Sequence, residues 1–249
     1  MKISRFIAIS TISLILGGLS YQTSSYAEKT QTHQIIAQSN NEEKSPQLEA
    51  KAKEVINLFF TEKFDSVSQL FTPDLRSEIP LKYMKSLLTD TLTQNGKFQK
   101  LTDSKVIVTP GSDLVVLTLN FEKITEDWIV IFNDQQEVIG VDIPTNKNIE
   151  TIATEFINSL VSQESAQARG WLNPFLKETI LPQQLQSRWN SFIQGKGDFK
   201  GITKTTVRNG SKGDNTDVVI MDLEFSQKKE KLFVIFDSSK SIIGVDFIQ

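Results

Sequence analysis

Cysteine is absent from the 249-residue chain, and histidine occurs once, as His33. Without cysteine there is no disulfide framework, no thiol nucleophile and no thiolate zinc site. Because His33 lies in a polar segment near the N-terminus, a folded Ser-His-Asp site, a Cys-His site and a histidine-ligated zinc site are excluded as well. The phosphate-binding patterns G-x-x-x-x-G-K-[ST] and G-x-G-x-x-G are also missing. We therefore expect no metal and no cofactor.

Long apolar runs are scarce, and the clearest one lies near the N-terminus. Lys2 and Arg5 are followed by an apolar run at residues 6–19, and Ser25 and Ala27 offer small side chains at the two positions that a signal peptidase reads. The run is shorter than the roughly 20 residues that a membrane-spanning helix needs. The pattern predicts a signal peptide at residues 1–27, cleavage after Ala27, and a secreted or periplasmic protein. An uncleaved membrane anchor is the alternative.

Positive charge is in slight deficit. The net charge is −3, and residues 1–27 contain two cations and no anions, so their removal would leave −5. An acidic chain disfavours nucleic acid, or an anionic membrane after signal cleavage, as a general partner. Residues 28–46 are rich in Gln, Asn, Thr, Ser and Glu. Such a segment buries too little apolar surface to fold, which predicts a disordered tether.

The rest of the chain contains one pattern twice. Ala52-Lys-Glu-Val-Ile-Asn57 recurs as Ala153-Thr-Glu-Phe-Ile-Asn158, at an offset of 101 residues. After a three-residue insertion in the second copy the offset becomes 104, so Ile139-Gly-Val-Asp142 matches Ile243-Gly-Val-Asp246. A long period that occurs only twice indicates two globular domains. We predict a first domain at 47–144 and a second at 149–249.

The inserted residues fall in the polar segment 209–217, whose composition is similar to that of an acidic calcium loop. The D-x-[DN]-x-[DN]-G spacing of such loops is missing, and the first copy has Pro110-Gly-Ser112 instead. A surface hairpin without a metal is the favoured interpretation.

Apolar spacing changes from helical to alternating within each copy. Helical spacing covers residues 47–61, a short stretch near 67–71 and a segment after Pro80, and it recurs in the second copy. Alternation then begins at Val115, and residues 128–132 are apolar throughout. A strand that is apolar on both faces is covered on both sides. The pattern predicts an α+β unit of three helices and a four-stranded antiparallel sheet. The second sheet face is then covered by the sister copy or by a second molecule, as in a homodimer.

The order of elements and several short motifs carry a family resemblance over residues 47–249. The motifs are F-x-P-x-L at 71–75, I-P at 79–80, N-G-x-F at 95–98, V-I-F at 130–132 and I-G-V at 139–141. They resemble uncharacterised bacterial domains of the NTF2-like (cystatin-like) superfamily, found in exported proteins and ahead of α/β-hydrolase domains. The resemblance implies a cone-shaped α+β fold with a pocket between the long helix and the curved sheet. It implies no catalytic residues.

Aromatic residues and one cation are the candidate ligand-binding residues. Tyr83 and Trp189 lie on the third helices of the two copies, Arg188 is next to Trp189, and Trp171 ends a second helix. One interpretation is an aromatic pocket with Arg188 at its rim to meet an anion. The other is that Trp171 and Trp189 are core residues and Arg188 is solvated, because both tryptophans align with leucines of the first copy.

Asp142 and Asp246 end equivalent Gly-Val-Asp strands. The favoured interpretation is a polar strand end rather than a catalytic aspartate, because no partner groups can be named.

Three functions remain open on the sequence alone. The first is a non-enzymatic exported module that binds a small molecule or an envelope protein, which the missing catalytic residues favour. The second is a carboxylate-dependent enzyme of the ketosteroid-isomerase type, in which a tuned Asp works with a Tyr. The third is a purely structural dimerisation unit.

Overall fold

A computed structural model describes residues 3–5, 45–109, 111–210 and 216–248. The predicted cleavage site at Ala27, nearly all of the predicted tether and residues 211–215 of the polar hairpin lie outside these ranges. Residues at the start of the predicted signal peptide form a short strand, β1 (Ile3–Arg5). In the part of the chain that the structure describes, no helix has the length and apolar character needed to span a membrane.

Within those ranges each copy folds as helices followed by four strands. The first copy contains α1 (45–60), α2 (Phe64–Gln69), α3 (Pro73–Glu78), α4 (Leu81–Asn95), β2 (Phe98–Thr109), β3 (Ser112–Phe121), β4 (Thr125–Phe132) and β5 (Val138–Asp142). The second contains α5 (Ile149–Val161), α6 (Ser165–Gly170), α7 (Pro174–Thr179), α8 (Pro182–Ile193), β6 (Phe199–Arg208), β7 (Asp217–Phe225), β8 (Lys229–Phe236) and β9 (Ile242–Ile248). The predicted α+β organisation is confirmed.

The two sheets are antiparallel meanders of the same design. Their strand orders are β2-β3-β4-β5 and β6-β7-β8-β9, and β1 pairs with the outer edge of β9. Register shifts recur at equivalent places, beside Phe98 and Phe199 and again between the last two strands of each sheet. A bulge depends on local sequence and pairing. Its repetition therefore shows that the duplication extends to strand register.

The short helices α3 and α7 differ from the prediction of three helices in each copy. Apolar spacing alone assigns Pro73 and Pro174 to the end of the second helix. In the structure each proline stands in the first turn of a further helix, where its missing N–H leaves no hydrogen bond unmade. The side chains of Thr72 and Asn173 accept hydrogen bonds from the backbone N–H groups of Leu75 and Leu176. An N-cap residue before the proline thus starts a helix at this point.

The helices of each copy pack on one face of its own sheet. In the first copy the Phe59 ring lies edge-on to Trp128 with ring centroids 5.8 Å apart, and Phe60 stacks on Phe98 at 4.2 Å. The indole N–H of Trp128 donates to Glu126 at 2.8 Å, so the buried ring keeps its polar atom satisfied. Burial of one such side chain stabilises the fold by roughly 2–3 kcal/mol.

The opposite face of the first sheet is covered at one end by the second copy. Helix α7 packs against β5, and Ser112 donates a hydrogen bond to Glu178 of that helix. Ile131 on this face is fully buried, whereas its equivalent in the second sheet, Ile235, is partly exposed. The sister copy therefore supplies the predicted cover for the first sheet.

Candidate functional site

Two cavities meet at the joint between the copies. The inner cavity comprises about 640 Å³ of empty space and the outer one about 830 Å³, both partly open to solvent. They share five lining residues, Tyr83, Leu87, Val141, Ile143 and Gly170. The two cavities therefore adjoin, and Tyr83 is one of the residues at which they meet.

The inner cavity lies between the helices and the sheet of the first copy, and the second copy forms part of its wall. Phe59 of α1 and Trp128 of β4 line it from the first copy, and Ala166, Arg169 and Lys177 line it from α6 and α7. Most of the other lining side chains are aliphatic or aromatic. Three lining residues carry a polar side chain: Tyr83, Arg169 and Lys177.

Arg169 is buried at the centre of the joint, with 5% of its surface exposed. Its Nε donates to the carbonyl of Ile180 at 2.6 Å, and its Nη2 donates to the carbonyls of Ile139 and Lys177 at 2.6 and 2.5 Å. One guanidinium therefore joins β5 of the first copy to the loop after α7. Burial lowers the pKa of Arg169 to about 10, which keeps the group charged at neutral pH.

Lys177 forms the second polar connection across the joint. Its Nζ lies 2.7 Å from a carboxylate oxygen of Asp142 and donates to the carbonyl of Val141 at 3.2 Å. The lysine side chain is 1% exposed and the aspartate side chain 19%. Burial lowers the pKa of Lys177, and the charge of Asp142 opposes that shift. Asp142, which the sequence placed at a strand end, thus pairs with the second copy.

Tyr83 projects from α4 towards α6. Among the described residues, none forms a hydrogen bond with its hydroxyl group, although the ring lines both cavities. Burial raises the pKa of Tyr83 to about 12; the positive charge of Arg169 opposes this shift and the negative charge of Asp90 adds to it. The hydroxyl is a neutral donor at physiological pH, directed into the joint.

The raised pKa of Tyr83 predicts a specific loss of stability in alkali. The folded value lies above the value of about 10 for an unfolded tyrosine. The resulting stabilisation is complete below pH of about 10 and is lost as the pH rises towards about 12. Tyr83→Phe should remove this part of the pH dependence. A difference titration of tyrosinate absorbance, wild type minus Tyr83→Phe, should show a midpoint near pH 12. A midpoint near the ordinary value would contradict the burial of this hydroxyl.

Gly170 at the end of α6 creates the room for Tyr83. A Cβ atom at this position would lie 2.5 Å from the Tyr83 hydroxyl oxygen, and the next nearest atom, Cζ of the same ring, is 3.7 Å away. The lack of a side chain at Gly170 therefore sets where Tyr83 can lie.

This close approach predicts a double-mutant coupling. Gly170→Ala should destabilise the chain by about 1–2 kcal/mol because Tyr83 has to move. In a Tyr83→Phe background the clash disappears, and the same change should be neutral to within about 0.5 kcal/mol. Urea unfolding of the four proteins measures the coupling. Gly140→Ala is a matched control, since its nearest neighbour is Ile131 and its effect should be the same in both backgrounds. Equal costs for Gly170→Ala in both backgrounds would contradict the contact.

The outer cavity is more polar. Asp90, Lys147, Glu155 and Trp171 are among its lining residues. Lys147 donates to both carboxylate oxygens of Glu155 at 2.7 Å, and its Nζ lies 5.2 Å from the centre of the Trp171 ring. The indole N–H of Trp171 is buried, and no described residue accepts a hydrogen bond from it. The linker between the copies is thus held against α5 and α6 and forms one wall of the cavity.

The sequence-predicted site residues are divided by the fold. Tyr83 and Trp171 both line the outer cavity at the joint. Trp189 is 2% exposed in the core of the second copy, where its ring packs against Phe192 and Phe199. Arg188 is exposed on α8 and lines neither cavity. Tyr83 and Trp171 therefore share a site, whereas Arg188 and Trp189 lie away from it.

Sequence reasoning missed the residues that shape the joint, above all Arg169, Gly170 and Lys177. A signal for two of them was present in the alignment of the copies. Arg169 is equivalent to Ser68, so a cation replaces a small residue. Lys177 is equivalent to Arg76, whose guanidinium donates to three carbonyls and one side-chain oxygen of its own copy. The alignment therefore distinguishes Arg169 as a cation that only the second copy has, and Lys177 as a lysine in place of arginine.

Among the described residues there is no group of three or more His, Cys, Asp or Glu side chains arranged to hold a metal ion. The polar groups that face the inner cavity are instead hydrogen-bond donors. This arrangement can orient a ligand that carries an acceptor.

Comparison with protein families gives one match. The family described as proteins of unknown function, DUF3887, matches residues 52–141 and, a second time, residues 153–245. The chain matches no curated protein and no solved structure. The prediction of an uncharacterised domain in tandem is confirmed, and membership of the NTF2-like superfamily stays a prediction. Since the two matches cover more than half of the chain and fall within the two structural copies, the protein belongs to the DUF3887 family and carries its domain twice.

Proposed function

We propose that this protein is a non-enzymatic binding module that holds a small, mainly apolar molecule at the joint between its two copies. The observation that carries the proposal is the inner cavity, which is lined mostly by apolar side chains and includes Tyr83, Arg169 and Lys177 in its lining. Small-molecule sites usually have this combination of apolar walls with a few polar groups. The ligand is expected to enter through the outer cavity and pass Tyr83.

A neutral, environment-sensitive dye, N-phenylnaphthylamine, tests the proposal. Its fluorescence should rise on addition of the wild-type protein. Leu87 lines both cavities, so Leu87→Trp should fill the passage and weaken dye binding by about tenfold or more. Arg188→Trp is the matched control, because it adds the same indole at the equivalent exposed position of the second copy. Dye binding that is absent in the wild type, or unchanged by Leu87→Trp, would overturn the proposal.

A carboxylate-dependent enzyme is the second candidate, and one observation favours it. Tyr83 and Asp90 both line the outer cavity, and the charge of Asp90 acts on Tyr83. The inner cavity has no carboxylate among its described lining residues. Glu155 in the outer cavity has both oxygens engaged by Lys147. An isomerase of this kind would therefore depend on Asp90, and loss of a measured turnover in Asp90→Asn with unchanged dye binding would favour it.

A structural role in a homodimer is the third candidate. The outer face of the second sheet presents a partly exposed apolar row that includes Val218, Ile220, Phe233 and Ile235. A dimer through this face should dissociate when Phe233 is replaced by lysine, which sedimentation velocity can measure. A monomer at all concentrations would remove this candidate.

We propose further that the protein acts outside the cytoplasm and that its domains are NTF2-like. The signal pattern at residues 1–27 supports export, and mass spectrometry of the exported protein should give an N-terminus at Glu28. A cavity between the helices and a four-stranded sheet supports the superfamily assignment. An experimental structure of the domain compared with superfamily members would test it.

A further inference from the structure

We infer that the ligand of the inner cavity is an anionic amphiphile, whose acidic group meets Arg169 and Tyr83 and whose apolar body lies against Phe59 and Trp128. The inference rests on the proposed binding function and specifies the chemical class of the ligand. Donor geometry, the lack of an ion-pair partner for Arg169 among the described residues and the difference between the two copies support it independently.

Arg169 has one nitrogen left over. Its Nε and Nη2 make the three hydrogen bonds to carbonyls described above. No described residue accepts a hydrogen bond from Nη1, although the residue is 95% buried and lines the inner cavity. A charged donor of a cavity-lining residue that has no acceptor among the described residues is available to an oxygen atom of a ligand.

Arg169 lacks a direct ion-pair partner among the described residues. Arg169 and Lys177 are two buried cations, and Asp142 is paired with Lys177. None of the ion pairs formed by the described residues includes Arg169. Glu78 acts on Arg169 electrostatically without forming an ion pair with it, and one of its oxygens accepts from the backbone N–H of Gln183 at 2.7 Å. A ligand carboxylate at the guanidinium would give Arg169 a direct ion pair.

In the first copy, all three nitrogens of the Arg76 guanidinium group donate hydrogen bonds. Arg76 uses Nε, Nη1 and Nη2, and all its partners lie on α2 or directly after it. Its equivalent, Lys177, has turned across the joint to Asp142. Arg169 has no cationic equivalent in the first copy, where Ser68 bonds locally to Asp65. The donor that faces the cavity is thus particular to the joint.

Tyr83 adds a second donor, which comes from the first copy. Its hydroxyl lies beside Gly170, the residue next to Arg169, and none of the described residues is its hydrogen-bond partner. A carboxylate between the two groups would accept from the guanidinium and the phenol, and charge-assisted hydrogen bonds of this kind are about twice as strong as neutral ones. The apolar remainder of the cavity suits an alkyl or ring body.

Three probes with the same alkyl body and different head groups test the inference: decanoate, decanol and decylammonium. Each is titrated at neutral pH against the full-length protein saturated with N-phenylnaphthylamine. We expect decanoate to displace the dye at a concentration at least tenfold lower than decanol, and decylammonium to be the weakest. Decanol as effective as decanoate, or decylammonium as the best probe, would overturn the inference while leaving the binding function intact. Failure of the dye itself to bind would instead remove the binding function.

Variants identify the groups involved. Arg169→Gln should abolish the preference of decanoate over decanol, and Tyr83→Phe should reduce it about threefold to tenfold without weakening decanol. Arg188→Gln is the matched control, because it removes an exposed arginine that lines neither cavity, and it should leave the preference unchanged. If Arg169→Gln does not fold, the comparison of the three probes in the wild type and in Tyr83→Phe still tests whether the ligand is an anion. A preference that survives Tyr83→Phe unchanged, or that Arg188→Gln removes, would contradict the assigned site.

Discussion

Replacement of Asp142 with leucine is expected to lower the free energy of unfolding by about 3–5 kcal/mol. The change leaves the Lys177 ammonium group in the joint with 1% of its side chain exposed and one remaining partner, the carbonyl of Val141 at 3.2 Å. A buried charge without its counter-ion is among the costliest single defects in a folded protein. Urea unfolding at neutral pH measures the loss.

The pH dependence of this variant follows from the pKa of Lys177. Burial lowers the folded pKa below the unfolded value of about 10.4, and leucine removes the charge that opposed the shift. The unfolded chain then binds more protons than the folded one, so stability rises with pH up to about 10. The deficit of Asp142→Leu should therefore shrink in mild alkali.

The double variant Lys177→Met with Asp142→Leu is the control. Replacing both charges with apolar groups of similar volume removes the unpaired charge, and most of the stability should return. A small loss in Asp142→Leu, or no recovery in the double variant, would show that the pair does not connect the two copies.

Arg169→Met is expected to cost about 3–5 kcal/mol for a different reason. The variant removes the donor from three carbonyl groups, those of Ile139, Lys177 and Ile180, around a side chain whose residue is 5% exposed. An orphaned buried acceptor costs about 1–3 kcal/mol, and methionine fills the space of the side chain without satisfying any of them.

Hydrogen exchange should show where this damage falls. The amides of β5 and α7 should lose protection, whereas those of β7 in the second core should keep it. Arg76→Met is the matched control within one copy: its acceptors belong to α2 and the residues after it, so its effect should stay in the first copy. Equal loss of protection throughout the chain in Arg169→Met would contradict a role at the joint.

Much of the fold could be predicted because its signals are local. The number of copies followed from two segments that recur, Ala52–Asn57 and Ile139–Asp142. The change of apolar spacing near Val115 predicted where the sheet begins. The additional helices α3 and α7 were not predicted, because a proline predicts the end of the preceding helix. The N-cap residue before each proline indicates instead that a new helix begins there. That error was local too, and Thr72-Pro73 and Asn173-Pro174 contain the signal that corrects it.

The candidate site could be predicted only in part. Tyr83 and Trp171 stood out because the chain has one tyrosine and three tryptophans after position 27, and the fold brings both to the joint. Arg188 and Trp189 stood out equally, yet α8 directs one to solvent and the other into the second core. The position of a residue in a helix does not tell whether its side chain lies in a site, in a core or in solvent. That depends on which elements pack against the helix, and those elements are distant in the sequence.

The sequence by itself determined the duplication, the α+β order of elements and the lack of cysteine and histidine chemistry in the folded part, because composition and periodicity are properties of the chain. The tertiary structure alone decided that α6 and α7 of the second copy close the cavity of the first. It also brought the side chains of Arg169 and Lys177 into hydrogen bonds with β5, a strand that lies 30 or more residues earlier in the chain. The site arises from that contact between copies, and a contact between distant segments leaves no periodic trace in either of them.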